Sequence, residues 1–389
     1  MGRFLVRGRR ASLIGVVAVG ALTLAGCAAA PASAPATTAS SLCQQDASAL
    51  TAVGLQISAD LTAEFANSYT DQFHEFRALL VSACGRPVLE RYDKATATDH
   101  HNVASVTKSV VSTLVGIALA EGLIGGLDDK LAQLLPEHAA DMSPTVASLT
   151  LRQLLTMTAG LDPDRPDASV GPWFQSTNFV GSILRQGSQG TGQFGYSSAT
   201  THVLAAVLVH ATGRPVLDYA REKLFDPLGI QTRPAVQPLM VPASAAEYDA
   251  AGFAWPVDHQ GVNFGPGWLK LTPADMLKLG QLYLDGGQVN GHQVVPAQWV
   301  NDATTAQVTT GSQPYGADYG YQWWVTNAGA DPAFAAVGFG GQLIEVVPNR
   351  HLVVVFATNL TADPNQVVRA DSRAYELMVE RFIAPRITP

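Results

Sequence analysis

Charge is scarce in this chain. Only 14% of the 389 residues are charged, the net charge is −8, and the lysines and arginines form no basic stripe. Those absences exclude the electrostatic footprint of a nucleic-acid binder. Cysteine is nearly missing: there are three, and none is grouped with the dispersed histidines at zinc-ligand spacing. Neither a metal nor an organic cofactor is therefore expected. Lysine is limited to Lys94, Lys108, Lys130, Lys223, Lys270 and Lys278. No segment repeats. What is plentiful is apolar surface, at 47% of residues, which predicts a sizeable core in one large domain or two intergrown ones.

The first residues read as a targeting segment. Arg3, Arg7, Arg9 and Arg10 precede an apolar run from Ala11 to Leu24, too short to span a membrane comfortably. Arg9-Arg10 opens a twin-arginine pattern that the following residues fit poorly. The run ends Leu24-Ala25-Gly26-Cys27, which resembles a bacterial lipobox. Residues 1–26 are then a lipoprotein signal peptide. Cys27 is the lipidated residue, and an ordinary signal peptide is the alternative. The expected location is extracytoplasmic, with the lipid on Cys27 anchoring the chain to the bacterial cell membrane. Residues 27–45, small and interrupted by proline, suit a flexible tether. Cys43 and Cys84 remain as a disulfide pair for an oxidising compartment, with two buried thiols as the alternative.

Farther on, residues 78–92 pattern as a hairpin turning at Cys84-Gly85-Arg86-Pro87. Ser105 to about Glu121 patterns as a helix, with Val106, Val110, Leu114 and Ile117 on one face. Helices are also predicted at 151–157, 199–211, 216–224, 273–284 and about 366–382. Strands are predicted at 321–325, 342–347 and 352–358. The order predicts an α/β domain from residues 46–98 plus about 250–389, and a mainly helical domain over about 99–249. Ser105 falls at a boundary between them, where ligand sites concentrate.

Ser105-Val106-Thr107-Lys108 is an S-x-x-K at a helix start. Residues three apart share a helix face, so hydroxyl and amine can meet. A serine hydroxyl needs a neighbouring base. Lysine becomes one when burial and the positive helix end lower its pKa. The free N–H of Ser105 suits an oxyanion. Taken alone, the same four residues also describe an N-cap serine beside a solvated lysine.

The segment Ser105 to Asp129 resembles the active-site helix of the serine β-lactamase and D-alanyl-D-alanine peptidase superfamily, and is closest to its esterase and 6-aminohexanoate-dimer hydrolase branch. T-L-R-Q-L-L-T-M-T-A-G-L at 150–161, F-G-Y-S-S at 194–198, L-F-D-P-L-G-I at 224–230, L-T-P-A-D-M at 271–276 and Y-G-Y-Q-W-W at 319–324 match in the family's order. The resemblance implies a β-lactamase-like α/β fold: an antiparallel sheet flanked by N- and C-terminal helices, with an inserted all-helical domain. It makes Tyr196 the third catalytic group, a phenol that shuttles protons between Ser105, Lys108 and the leaving group if nearby cations hold its pKa down. Aromatic packing at a loop–helix junction, with Ser198 capping the helix that follows, is compatible with that role. Ser198 occupies the motif's third, polar position.

In the third motif, Ala336-Val337-Gly338 stands where β-lactamases and peptidases usually carry Lys-Thr-Gly. By position, the Phe339 N–H completes the oxyanion hole, and Gly338 and Gly340 line the substrate. The cation and hydroxyl that grip a substrate carboxylate are missing, a loss of about 1.5–3 kcal/mol. The expected function is thus an exported serine hydrolase acting through an acyl-enzyme on a small-molecule ester or amide. The alternatives are a β-lactamase or D,D-peptidase-like enzyme on cell-wall peptides, and a non-catalytic cell-wall-binding lipoprotein.

Overall fold

The computed structural model describes residues 42–387 except 45, 67–72, 74, 165–170, 241–243, 312–314 and 362–370. The leader 1–26, Cys27 and most of the 27–45 segment lie outside the described residues. At the start of the described chain, a short turn at Leu42–Gln44 is tied by a Cys43–Cys84 disulfide, Cα–Cα 5.4 Å, to the tip of the first hairpin. Closing a loop of 41 residues removes chain entropy equivalent to about 4 kcal/mol.

Helix α1 (Ala47–Ala66) leads into strands β1 (Phe76–Ala83) and β2 (Arg86–Tyr92). Their two-residue turn, Cys84-Gly85, has φ of 54° and 68°. Both angles are positive, as in the tight hairpin turn that matches strand twist, so Arg86 and Pro87 belong to β2 rather than to the turn. Six further strands come from the last quarter of the chain. They are β3 (Val308–Thr309), β4 (Asp318–Tyr319), β5 (Trp324–Ala328), β6 (Asp331–Gly338), β7 (Gln342–Val347) and β8 (Leu352–Thr358). All pair antiparallel in the order β2-β1-β8-β7-β6-β5-β4-β3.

The central strands are apolar on both faces, since both are covered. Leu79, Val81, Leu343, Val354 and Phe356 pack with Leu50, Ile57 and Leu61 of α1 and with Tyr375, Met378 and Ile383 near the C-terminus. Leu80, Ile344, Val346, Val353 and Val355 face the other way, into a second core. That core contains Val106, Val110 and Leu114 of helix α2 (Val106–Ala120), along with residues of α3 (Ser198–Thr212) and α4 (Pro273–Leu284). Period-two alternation in the strands thus sorts the chain into two cores separated by one sheet.

The 321–325 strand is displaced. Strand β5 begins only at Trp324 because Gln322 has a left-handed φ of 63°. Its side chain is buried and bonded at both ends: Nε2 donates to the carbonyls of Leu154 and Leu155, and Thr201 Oγ1 donates to Oε1 at 2.8 Å. The Gln322 carbonyl also accepts from Ser109 Oγ of α2 at 2.7 Å. One amide therefore joins the 151–155 helix, α3 and, through its backbone, α2.

Replacing Gln322 by Ala removes three buried side-chain bonds and the acceptor of the Thr201 hydroxyl, while the Leu154 and Leu155 carbonyls keep the N–H groups of Met157 and residue 322. A loss of about 2–4 kcal/mol is expected, read as a lowered urea midpoint. An unchanged midpoint would contradict the linking role.

Candidate active site

The approach to Ser105 is built by close backbone packing. Ala104 adopts a left-handed φ of 46°, an uncommon conformation for a residue with a Cβ. Its N–H is held by Asn102 Oδ1 at 3.0 Å, and its carbonyl accepts from Thr107 Oγ1 at 2.7 Å. Across the cleft wall, a Cβ on Gly338 would lie 2.5 Å from the Val103 carbonyl oxygen. This position needs glycine because β6 runs directly against the segment before Ser105. From His101 to Ala118, Ser105 alone is more than marginally exposed.

Ser105 occupies the N-cap position of α2, yet its side chain makes no capping bond. Instead Lys108 Nζ donates to Ser105 Oγ at 3.0 Å. Lys108 is 1% exposed, not a solvated first-turn residue. Its ammonium also donates to the Pro266 carbonyl at 3.0 Å and to Ser198 Oγ at 3.4 Å. Burial pulls the Lys108 pKa down to about 8, with the Asp164 carboxylate opposing that fall. About a tenth of the amine is then neutral at pH 7.

Tyr196 shares a hydrogen bond with Ser105 and presents its ring to Lys108, whose Nζ sits 4.8 Å from the ring centroid. The ring stacks on Trp324 at 5.6 Å and meets Tyr319 edge-on. Burial raises the phenol well above its ordinary pKa; the Ser105 bond only partly offsets this, and Asp164 adds to the rise. The condition of a pKa held down by nearby cations is therefore not met. Lys108 meets the π-face, and Tyr196 stays a neutral hydroxyl. Trp324 packs in the core containing α1, whereas Trp323 lies in the other with Tyr283 and Phe334.

The capping assignment also changes. Ser197, not Ser198, caps α3: its hydroxyl oxygen accepts from Thr200 N–H at 3.0 Å and donates to the Leu161 carbonyl. Ser198 is the first residue of α3, and its hydroxyl donates to Asp164 Oδ2 at 2.8 Å. Asp164 and the Pro266 carbonyl were not singled out from the sequence. The Gly265-Pro266-Gly267 turn is a visible breaker, but nothing local marks Asp164.

The turn carrying Phe339 is pinned from behind. Ser372, at the start of α5 (Ser372–Met378), donates to the Gly338 carbonyl at 2.6 Å and accepts from Gly341 N–H at 3.2 Å. Thr358 Oγ1 donates to the carbonyl of Gly340, itself buried, at 2.6 Å. Ala336 and Val337 are buried, one in each core. The site thus brings the Lys108 amine and the Tyr196 phenol onto Ser105, with the Ser198 hydroxyl also on the amine, an arrangement suited to proton transfer around a serine nucleophile. Among the described residues, no group of three or more His, Cys, Asp or Glu could hold a metal ion. Nor is any described helix long and apolar enough to cross a membrane.

The family model described as Beta-lactamase matches residues 74–377. The 6-aminohexanoate-dimer hydrolase of Paenarthrobacter ureafaciens is 27% identical over 326 residues, spanning 76% of this chain and 74% of its own. The D-alanyl-D-alanine-carboxypeptidase/endopeptidase AmpH of Escherichia coli K12 is 28% identical over 195 residues, 47% of this chain and 48% of its own. In solved structures, the fold is shared with EstCE1, described as a hydrolase with promiscuous acyltransferase activity. That match has TM-score 0.64 and 18% identity, and covers 86% of this chain and 98% of EstCE1. A penicillin-binding protein homologue from Caulobacter crescentus matches with TM-score 0.63 and 17% identity, over 86% and 97%.

The lowered Lys108 pKa is directly measurable. With lysine labelled at Cε, one resonance absent from K108R is expected to titrate near pH 8 by NMR. Titration of that resonance above pH 10 would contradict the burial described here.

Proposed function

The chain belongs to the beta-lactamase family, and on that premise we propose that it is a serine hydrolase cleaving small ester or amide substrates through an acyl-enzyme on Ser105. The observation that carries this reading is the 3.0 Å contact between Ser105 Oγ and a Lys108 amine buried enough to give up its proton near pH 8. Neutral Lys108 takes the Ser105 proton as Oγ bonds to the substrate carbonyl carbon. The oxyanion is held by the N–H groups of Ser105 and Phe339. Tyr196, a neutral phenol, passes a proton to the leaving alcohol or amine as the carbonyl C–O or C–N bond breaks, and is reprotonated from Lys108. Water then attacks the acyl carbon and gives its proton to the same amine, and the C–Oγ bond breaks as Lys108 returns that proton to Ser105 Oγ, releasing the acid.

Buried Ala336 and Val337 offer no charged or hydroxyl group to a substrate carboxylate, which favours uncharged acyl groups over penicillins and cell-wall peptides. The names of the 6-aminohexanoate-dimer hydrolase from P. ureafaciens and of EstCE1, a hydrolase with promiscuous acyltransferase activity, fit hydrolysis through acyl transfer. We further propose that the enzyme is exported, cleaved before Cys27 and held outside the cytoplasm by lipid on that residue.

A fluorophosphonate probe is expected to label wild-type protein and not S105A, while K108A loses about 10²–10⁴-fold in kcat/KM on short-chain p-nitrophenyl esters. Labelling by fluorescent penicillin would instead favour the β-lactamase or D,D-peptidase reading. Folded wild-type protein that neither probe labels would overturn both enzymatic readings in favour of a binding lipoprotein. Separately, cells fed a radiolabelled fatty acid are expected to label the wild type but not C27S. Equal labelling of the two would remove the anchor.

A further inference from the structure

The three acceptors around Lys108 are not equivalent. Ser105 Oγ is the proposed nucleophile, and the Pro266 carbonyl is a fixed acceptor. Ser198 Oγ is a hydroxyl that could turn either way, towards Lys108 as acceptor or as donor. Asp164 settles its direction. The Ser198 hydroxyl has one proton and gives it to Asp164 Oδ2 at 2.8 Å, leaving its lone pairs for the Lys108 amine.

Asp164 is itself clamped. Its Oδ1 accepts the Ser198 backbone N–H at 2.7 Å, and its own N–H donates to the Tyr196 carbonyl at 2.7 Å. Ser198 opens the fifteen-residue helix α3, so the carboxylate lies where the helix end favours negative charge. The carboxylate thus holds the N–H and the hydroxyl of Ser198, while the backbone N–H of Asp164 is tied to Tyr196.

We propose that Asp164 is a positioning residue for the reaction: through Ser198 it presents an acceptor to Lys108, and its charge restrains how easily that amine is deprotonated. The inference rests on the Ser105–Lys108 reading of the site. Among the described residues, Asp164 is the one charged group acting on Lys108; Tyr196 faces the amine with its ring, and Tyr319 lies behind Tyr196. Burial and Asp164 pull in opposite directions on the amine. With the carboxylate present, Lys108 is a stronger base that is less often free; without it, Lys108 is a weaker base that is free at lower pH.

The pH profile separates this from a purely structural role. In D164N, the acid limb of kcat/KM is expected to move to lower pH by roughly half to one pH unit, because the ammonium loses its nearby counter-charge. The plateau is expected to fall several-fold, because the amine becomes a weaker base. Asp164→Glu restores the charge and returns the limb towards its wild-type position. The pH dependence of fluorophosphonate labelling should follow the same order without requiring turnover. A D164N limb superimposed on wild type, with only the plateau lowered, would overturn the inference. Asp164→Ser provides a second charge-free variant if D164N fails to fold, and loss of fold in both assigns Asp164 to structure instead. Failure of wild-type labelling would sink the hydrolase reading, whereas a labelled wild type with an unmoved limb sinks this inference alone.

Discussion

A single amine sealed from water organises this molecule. An ammonium taken out of solvent loses hydration that protein acceptors must replace, or it sheds its proton. Lys108 stands between those outcomes: three oxygens from three separate segments surround it, and its pKa still falls to about 8. Each acceptor dictates a piece of architecture. The Ser105 contact requires the first turn of α2 to face the cleft, Ser198 requires the start of α3 beside it, and Pro266 requires the tight turn ahead of α4. The sheet and its two cores hold these three segments in register.

The division of labour proposed for Lys108 and Tyr196 follows from the same burial acting on groups of opposite charge type. Removing water disfavours an ammonium and a phenolate alike, so it lowers the pKa of Lys108 and raises that of Tyr196. Lys108 is thereby suited to accept a proton, and Tyr196 to remain a donor. The same environment drives the two values apart, which separates a group suited to be the base from one suited to be the acid.

Much of this was legible in the residues, and the limits have physical causes. The run from Ser105 to Ala120 announces its helix because its apolar spacing and its packing agree. Strands 342–347 and 352–358 match their β-rich runs for the same reason. Gln322 was misplaced because Y-G-Y-Q-W-W alternates like a strand, while a left-handed glutamine is held by tertiary bonds that no local pattern records. Tyr196 could be located by motif, but its protonation depends on Trp324 and Tyr319, more than a hundred residues later. Asp164 gave no local signal, since its contacts with Ser198 exist only once the loop and α3 have met.

The placement of Ala336 and Val337 bears on how this scaffold can change. Each side chain points into an opposite core, so the missing carboxylate grip is not an empty slot awaiting a residue. A lysine at 336 would carry its charge into apolar packing shared with α2, and a buried unpaired ion costs several kcal/mol. Its arrival would need a compensating anion or hydroxyl within the same core, acquired before or together with it. Packing therefore acts as a ratchet: a cationic grip at this strand cannot arrive by a single substitution and requires coordinated replacements within the core.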